Sequence, residues 1–390
     1  MRGRRYRARG LAVLTSLVLG VSGCGEATPA PDLGPYSTAR AAADYDGKAS
    51  VARGILVESL RIGERLVFAQ QIDSDLAHGR GGGVIVDHAG ASGPLSPAAR
   101  TALQPFEVLG GYSAVAGNSA QLGQQPGKSL TVTVLALPSD ELAVAAAQAM
   151  AAADFGSEAG NSLLAIPNVP AAQGYWQSRV KIATAWTTWK SLVLVVNAKF
   201  ENARASQLVD MLDRTVKEQV SGLSGFVPTR SADLPNLKMD PDELLTDLVR
   251  TGTNTPDKLE FAVYGPRAYA LLLDRPSQRL SEYREFKVDA VAVAHNNQLF
   301  RAEDGDAADS LQHAIESELT ATGYESMDAG AGVTGVSCYR ATQPDARVIE
   351  ARHYACLLRH GAYVWRINGN QEVPVRQMAA AQAALSRENR

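Results

Sequence analysis

The chain has 390 residues, of which 45% are hydrophobic and 20% are charged, and its formal net charge is −3 at pH 7. This length exceeds what one hydrophobic core usually serves, so we expect two domains. Residues 1–23 carry five arginines, and without them 33 basic residues face 41 acidic ones, a net charge of −8. Nucleic acids and anionic lipid surfaces require a basic footprint, so this balance argues against either as the main partner.

An export signal is predicted at the amino terminus. Residues 1–10 contain the five arginines and no acidic residue, and residues 11–21 form an uncharged, mostly apolar run. These 11 residues are too few for a bilayer-spanning helix, which needs about 20, but they suit the central region of a signal peptide. We therefore leave residues 1–23 out of the fold.

The residues at the end of this signal resemble the lipobox of bacterial lipoproteins. Val21, Ser22 and Gly23 are small, and Cys24 follows them. The resemblance implies that Cys24 is the first mature residue and carries a thioether-linked lipid and acyl chains such as palmitate. Two or three such chains anchor a protein firmly, at about 0.8 kcal/mol per buried CH₂. We expect a protein held by this lipid on the extracytoplasmic face of the cell membrane; ordinary secretion with an incidental cysteine is the alternative.

The first part of the mature chain is predicted to be a short tether and a domain. Residues 24–35 lack apolar periodicity and favour a flexible tether, and the N-terminal domain is predicted over residues 36–236. Its predicted elements are a helix over 51–66, one short strand at 84–86 in a glycine-rich loop over 78–86, a strand over 129–137, a helix from Asp140 capped by Ser139, a hairpin over 179–200 turning at Thr187 and Thr188, and a helix with an apolar stripe at Val209, Leu212, Val216 and Val220.

The second part, residues 237–390, is predicted to be a C-terminal domain of the same plan. Its predicted elements are a helix capped at 240–243 and running to Val249, a hairpin over 288–303 turning at Asn296 and Asn297, a helix capped by Asp306, a hairpin over 350–369 turning at His360 and Gly361, and a helix from Pro374. Each half therefore offers strand, helix, long hairpin and helix. This order predicts an α+β fold of two related domains, each an antiparallel sheet with helices packed on one face.

The remaining cysteines, Cys338 and Cys356, are an even pair in an exported protein. A disulfide is the expected state in an oxidising compartment. Their separation of 18 residues suits two neighbouring antiparallel strands. No matched histidine pair accompanies them, so a zinc site is not expected.

Several stretches resemble a group of actinobacterial two-domain lipoproteins that is known as a domain of unknown function. They are ERLVFAQQIDSDL (64–76), YGPRA (264–268), FRAEDGDAADSL (300–311), the two cysteines, and YVWRINGNQEVPVRQMAAAQAAL (363–385). The resemblance implies an envelope location and two related domains. It brings no activity.

Catalytic motifs are absent from the sequence. It contains neither G-x-S-x-G nor H-E-x-x-H, and we expect no cofactor or metal. An envelope hydrolase remains the alternative if the fold itself assembles a site. The candidates for such a site are Ser113 or Ser119 as nucleophile, His78 or His88 as base, and Asp73, Asp75 or Asp87 as the orienting acid.

Large aromatic residues cluster in the two long hairpins. They are Trp176, Trp186, Trp189, Tyr354, Tyr363 and Trp365. Such residues belong to a core in most sheets, but they also line grooves where small molecules and partners bind. The sequence thus favours a non-enzymatic lipoprotein that binds an envelope ligand or protein, with the aromatic hairpins as either core or groove.

Overall fold

The structure is a computed structural model, and it describes residues 29–121, 124–169, 171–251, 260–343 and 352–388. The predicted signal peptide and Cys24 lie outside these residues. Within them, no helix combines the length and apolar character that are needed to cross a bilayer.

The first half of the described chain forms a seven-stranded antiparallel sheet with five helices. The elements are α1 Val51–Gly63, α2 Ala69–Ile72, β1 His78–Val84, α3 Pro97–Leu103, β2 Gly110–Gly117, β3 Lys128–Ala136, α4 Asp140–Gly156, β4 Asn161–Leu164, β5 Gln173–Gln177, β6 Ile182–Trp189, β7 Leu192–Phe200 and α5 Ala205–Gly222. The strand order is β1-β2-β3-β7-β6-β5-β4, and every neighbouring pair is antiparallel.

The second half repeats this plan. Its elements are β8 Phe261–Tyr264, α6 Pro266–Ala270, α7 Pro276–Glu285, β9 Ala290–Ala294, β10 Asn297–Arg301, α8 Gly305–Ala321, β11 Tyr324–Met327, β12 Val336–Ala341, β13 Tyr354–His360, β14 Tyr363–Gly369 and α9 Glu372–Glu388. Read from β8, the strand order is β8-β9-β10-β14-β13-β12-β11, the same topology as the first sheet. The α+β class and the two related domains are confirmed.

The helices cover both faces of the first sheet, where the sequence predicted one covered face. On one face, Leu135, Trp186 and Val193 pack with the buried residues of α3 and α4. On the other face, Val134 and Leu194 pack with α1 and α5 in a second cluster. Neighbouring residues of a strand point to opposite faces. Because both sets are apolar, both faces need a helical cover.

Some local predictions were wrong by a few residues. The first hairpin turns at Lys190 and Ser191 instead of Thr187 and Thr188, and Lys190 adopts the left-handed region at φ 52°. β-branched threonines favour the extended strand, so the turn moves to the polar pair beyond them. The second hairpin likewise turns at His295 and Asn296, and the third at Gly361 and Ala362.

The helix ends also differ from the predictions. Asp304, not Asp306, caps α8 and accepts a hydrogen bond from Ala307 N at 2.8 Å. Asp240 accepts from Leu244 N at 2.7 Å, as a cap would, but only a 3₁₀ turn, Leu244–Asp247, follows. All six residues from Leu244 to Val249 are buried, including Thr246 and Asp247, and a regular surface helix would expose part of such a continuous run. Burial raises the pKa of Asp240 to about 6.

The glycine-rich stretch is a strand and not a loop. Residues His78–Val84 form β1 and pair with β2, with a register shift between Gly79 and Gly82. Gly82 has φ 132°, and a Cβ there would overlap the carbonyl oxygen of Ser113. Glycine is required where the backbone bulges this closely against its neighbour.

The described part of the predicted tether lies against the C-terminal domain instead of projecting freely. Gln377 on α9 donates from Nε2 to Asp32 Oδ2 at 2.8 Å. The next residues continue along the same domain, where Arg40 forms an ion pair with Asp247 at 2.8 Å. Residues 29–40 therefore cross the C-terminal domain before α1 begins.

The two domains share one buried cluster. Tyr112 on β2 donates from its hydroxyl to Ala268 O at 2.7 Å. Arg267 donates from Nε to Leu66 O at 3.1 Å, and its guanidinium lies 4.5 Å from the ring centre of Phe68. These contacts join the end of α1 and the second strand of one sheet to α6 of the other domain.

The disulfide between Cys338 and Cys356 is confirmed. The two residues are directly opposite each other on β12 and β13, and both are buried. Such a link removes conformational freedom from the unfolded chain.

Replacing both cysteines with alanine is expected to lower the free energy of unfolding by about 3 kcal/mol in oxidised protein, the chain-entropy value for a loop of this length. The measurement is urea unfolding of wild type and double variant, with and without reductant. With reductant, the two proteins should unfold at nearly the same urea concentration. A variant as stable as oxidised wild type would contradict a stabilising link.

Candidate functional site

The six aromatic residues of the hairpins do not form one groove. Trp365 is fully buried and donates from Nε1 to Asp247 O at 3.2 Å, and Trp186 is 2% exposed in the core beneath α4. Both therefore belong to the core. Trp176 and Trp189 are half-buried against the opposite face of the first sheet, with Lys181 and Lys190 over their rings.

The half-buried tyrosines belong to the second domain. Tyr354 and Tyr363 pack at the surface of its core, and the ring of Tyr363 lies 6.0 Å from that of Trp365. An open depression of about 400 Å³ in the first domain is bordered by Trp186, Tyr175 and Asp154. The hydroxyl of Tyr175 donates to Asp154 there. This depression is shallow, so it offers less enclosure than the cavity described next.

The candidates for a hydrolase site are not joined to one another by the hydrogen bonds that the structure describes. Their contacts are Ser113 Oγ with Thr133 Oγ1 at 3.0 Å, Ser119 Oγ with Gln121 N at 3.3 Å, His78 with Asp274 at 2.9 Å, His88 with Phe106 O at 2.9 Å, Asp73 and Asp75 with Lys128, and Asp87 with Gly90 N at 2.6 Å. Ser113 is buried in the sheet, and its described hydrogen-bond partner is a threonine hydroxyl, which cannot act as the base that a nucleophile needs.

A cavity of about 190 Å³ lies in the C-terminal domain between α7 and α8, and we call it the α7–α8 cavity. Three aromatic rings form one wall. Phe300 on β10 meets Tyr269 at a centroid distance of 5.9 Å and Tyr283 at 6.1 Å. Leu311, Ile315 and Leu319 of α8 form the other wall. The lining also contains six charged side chains, so this concave site combines apolar walls with polar groups, and small molecules bind in sites of that kind.

The cavity exists because the two domains pack the same pair of helices differently. In the N-terminal domain α3 packs directly on α4, whose buried residues there are mostly alanines. In the C-terminal domain α7 stands away from α8, which buries leucine and isoleucine instead. Small side chains let two helices approach, and larger ones hold them apart. The helix pair that closes one domain therefore leaves a space in the other.

Charged groups surround the mouth of the α7–α8 cavity. Arg279 on α7 is 13% exposed, forms an ion pair with Glu282 at 2.8 Å, and reaches across to Glu318 on α8. This arginine thus bridges the two helices and is neutralised by two carboxylates. Arg366 on β14 also lines the cavity, and its Nε donates to Asn368 Oδ1 at 3.1 Å.

Arg366 differs from Arg279 in its charge balance. Across the part of the chain that the structure describes, no carboxylate lies within ion-pair distance of Arg366. Its positive charge acts on two buried tyrosines and partly offsets the effect of burial on them. Burial nevertheless raises the pKa of Tyr269 to about 12 and raises the pKa of Tyr283 well above its usual range, so both are neutral phenols at physiological pH. The cavity therefore offers aromatic walls, neutral hydroxyl groups and, in Arg366, a guanidinium that no described carboxylate neutralises.

None of these cavity residues was predicted from the sequence to belong to a binding site. Arg366 carries a usable signal, because it is a basic residue in the middle of the apolar strand YVWRING. Arg279 and Tyr283 are four residues apart on α7, which places them on one helical face. Among the described residues, no group of three or more histidine, cysteine, aspartate or glutamate side chains could hold a metal ion.

Replacing Arg279 with glutamine is expected to lower the free energy of unfolding by about 1–3 kcal/mol, because it leaves two partly buried carboxylates without their cation. The matched control is Arg340→Gln, which removes an ion pair with Glu325 whose arginine is 56% exposed, and is expected to cost less than about 1 kcal/mol. Urea unfolding of the two variants tests this order. Equal losses would show that the bridge does not hold α7 to α8.

Comparison with known proteins gives a family and no activity. A search of the curated proteins found no match. Among solved structures, the crystal structure of the extracellular domain of PknH from Mycobacterium tuberculosis matches 40% of this chain and 95% of its own length, at 12% identity and a TM-score of 0.29. The profile described as domain of unknown function (DUF7373) N-terminal matches residues 45–239, and its C-terminal counterpart matches residues 244–388. The chain belongs to the DUF7373 family.

Proposed function

We propose that this chain is a cell-envelope lipoprotein, anchored to the membrane through Cys24, that binds a small molecule in the α7–α8 cavity and does not act on it chemically. The observation that carries the binding role is the cavity itself, a concave space with aromatic walls and convergent polar groups. The anchoring role rests on the signal-like leader and the lipobox-like residues before Cys24.

The lining of the cavity indicates the chemistry of the ligand. Tyr269, Tyr283 and Phe300 offer ring faces and edges, which favour an apolar or aromatic body. Arg366 has no ion-pair partner among the described residues, so a carboxylate or phosphate of the ligand would supply the missing charge. A volume of about 190 Å³ is small for a ligand site. We therefore propose a small, mostly apolar molecule with one anionic group.

Catalysis has less support than binding. Arg279 is neutralised by its two carboxylates, and the tyrosines have pKa values too high to serve as bases near neutral pH. The Ser, His and Asp candidates each bond elsewhere. A binding site needs only shape and complementary charge, and the aromatic wall together with Arg366 supports that role for the cavity.

Benzoate, indole-3-acetate and phenyl phosphate are suitable probes, each with an aromatic ring and one anionic group. We expect at least one of them to raise the melting temperature of wild type, by the equivalent of about 1.4 kcal/mol at ten times its dissociation constant. Arg366→Gln should remove the preference for benzoate over neutral benzamide, because the guanidinium is lost. Ala314→Phe should abolish both shifts, because its ring would occupy the cavity.

The control for the binding test is Arg340→Gln, which removes an exposed arginine on β12 of the same domain that does not line the cavity. It should bind like wild type. Absence of a shift with all three probes, or shifts that survive Ala314→Phe, would contradict binding in this cavity.

The anchor is tested separately by mass spectrometry of protein purified from the cell envelope. We expect a mature chain that begins at Cys24 with a mass increase equal to a diacylglyceryl group and an amide-linked acyl chain. Cys24→Ala should leave the membrane fraction, and the variant lacking Cys338 and Cys356 should remain in it. An unmodified start at another residue would refute the anchor.

A further inference from the structure

The chain immediately after the proposed anchor is held against one end of the C-terminal domain. Residues 328–335 connect β11 to β12, and we call them the β11–β12 loop. Gly332 in this loop has φ 73°, and a Cβ there would overlap Pro29 O and lie 3.1 Å from Pro31 N. The backbone of residues 29–31 therefore lies directly on the loop, in a place that only glycine leaves open.

The next residues hold this segment in place. Asp32 accepts a hydrogen bond from Gln377 of α9, and its other oxygen accepts from Gly34 N at 3.0 Å. Leu33 packs against the shared core. The hydrogen bond from α9, the packed leucine and the close approach to Gly332 make residues 29–34 part of the domain surface.

This geometry limits how far the domain can stand from the lipid. Five peptide units join Cys24 to Pro29. A fully extended chain spans at most about 3.6 Å per residue, so these units reach at most about 18 Å. If Cys24 carries the lipid, its backbone lies at the headgroup level, and the β11–β12 loop lies within about 18 Å of that level.

We propose that the β11–β12 loop and the last turn of α9 form the face of this protein that lies on the phospholipid headgroups, with the N-terminal domain directed away from the bilayer. The proposal rests on the proposed lipid anchor at Cys24. The occupant of this face is the lipid surface itself, because the anchor is only five residues from the contact.

The composition of the face suits this role. Asp328 is the single charged residue of the loop, whose sequence is DAGAGVTG. Arg387 in the last turn of α9 donates from Nη2 to Thr334 O at 2.6 Å and places a cation at the base of the loop. A small, nearly uncharged loop can approach headgroups with little cost of desolvating charge. The net charge of −8 of residues 24–390 opposes a broad adsorption of the protein on an anionic membrane.

The sheet order places the N-terminal domain at the other end. β12 and β11 form one edge of the second sheet, and β8 forms the opposite edge. Contacts with the sheet and helices of the N-terminal domain come from α6, which follows β8, and from Asp274 just after α6, which pairs with His78 on β1. Six strand spacings of about 4.8 Å separate the two edges by about 29 Å. The second sheet thus acts as a spacer between the bilayer and the N-terminal domain.

The test imposes the anchor chemically, so its outcome does not depend on whether cells acylate Cys24. Mature protein, residues 24–390, has one free thiol, because Cys338 and Cys356 are linked. This thiol is coupled to maleimide-headgroup lipid in phosphatidylcholine vesicles, and hydrogen exchange is followed by mass spectrometry. We expect amides of the β11–β12 loop to exchange at least fivefold more slowly on vesicles than in solution, and those of β4 and α5 to be unchanged.

Two glycine variants form a matched pair for this experiment. Gly332→Ala is expected to displace residues 29–31 and remove the protection of the loop. Gly335→Ala has the same backbone strain, with φ 74° in the wild type, but a Cβ there meets nothing within 4 Å, so its protection should persist. A third variant inserts 20 Gly and Ser residues between Thr28 and Pro29, and this adds a reach of about 25 Å and should also abolish protection.

Protection of the N-terminal domain on vesicles, or no protection of the loop, would overturn the orientation. Equal protection with and without the 20-residue insertion would overturn the role of the short chain before Pro29. If the thiol-coupled protein behaves as proposed while cell-derived protein lacks the lipid, the orientation stands and the proposed anchor fails.

Discussion

The two repeated sheets act as one body because of a small set of contacts at the end of α1. Glu64 accepts a hydrogen bond from Ala268 N at 2.5 Å, and Arg267 donates to Leu66 O while lying over the ring of Phe68. Burial raises the pKa of Glu64 and lowers that of Arg267, so the surroundings oppose both charges. Groups of this kind persist only when they are hydrogen-bonded, and removing one partner costs about 3–5 kcal/mol. The relative position of the two domains depends on these contacts between the end of α1 and α6.

Repetition of one topology has produced two domains with different interiors. In the N-terminal domain the alanines of α4 let α3 pack directly on it. In the C-terminal domain the corresponding helices, α7 and α8, stand apart, and Arg279 bridges the space between them. In the first domain α3 and α4 therefore pack together, and in the second a cavity lies between α7 and α8. The same C-terminal domain also carries residues 29–34 on its surface. The C-terminal domain thus contains the proposed binding cavity and also lies next to the proposed anchor.

Much of the fold could be predicted from local patterns. Alternating apolar residues located β3 and the long hairpins, and Ser139 accepts from Leu142 N at the start of α4 as expected. The wrong predictions concerned glycines, which occur both in loops and in bulged strands, and turns, which several neighbouring polar pairs could have formed. The glycine-rich run of β1 looked like a loop, because the reason for its glycines is the close passage of Ser113 on a neighbouring strand. Turn positions moved by a few residues, since several polar pairs can reverse a chain and the strand register selects one.

For the site, the sequence by itself determined the disulfide pair, the apolar faces of the helices and the acidic balance of the mature chain, because each follows from residue type and spacing. The lipid on Cys24 stays a prediction of the same kind. Tertiary structure alone decided which aromatic residues are core, since Trp365 and Trp186 are buried by helices that are distant in sequence. It also decided that Arg366 lies beneath α7 and α8 and that residues 29–31 meet Gly332. These contacts join segments that are far apart in the sequence, and the local pattern of apolar and polar residues does not determine which distant segments come together.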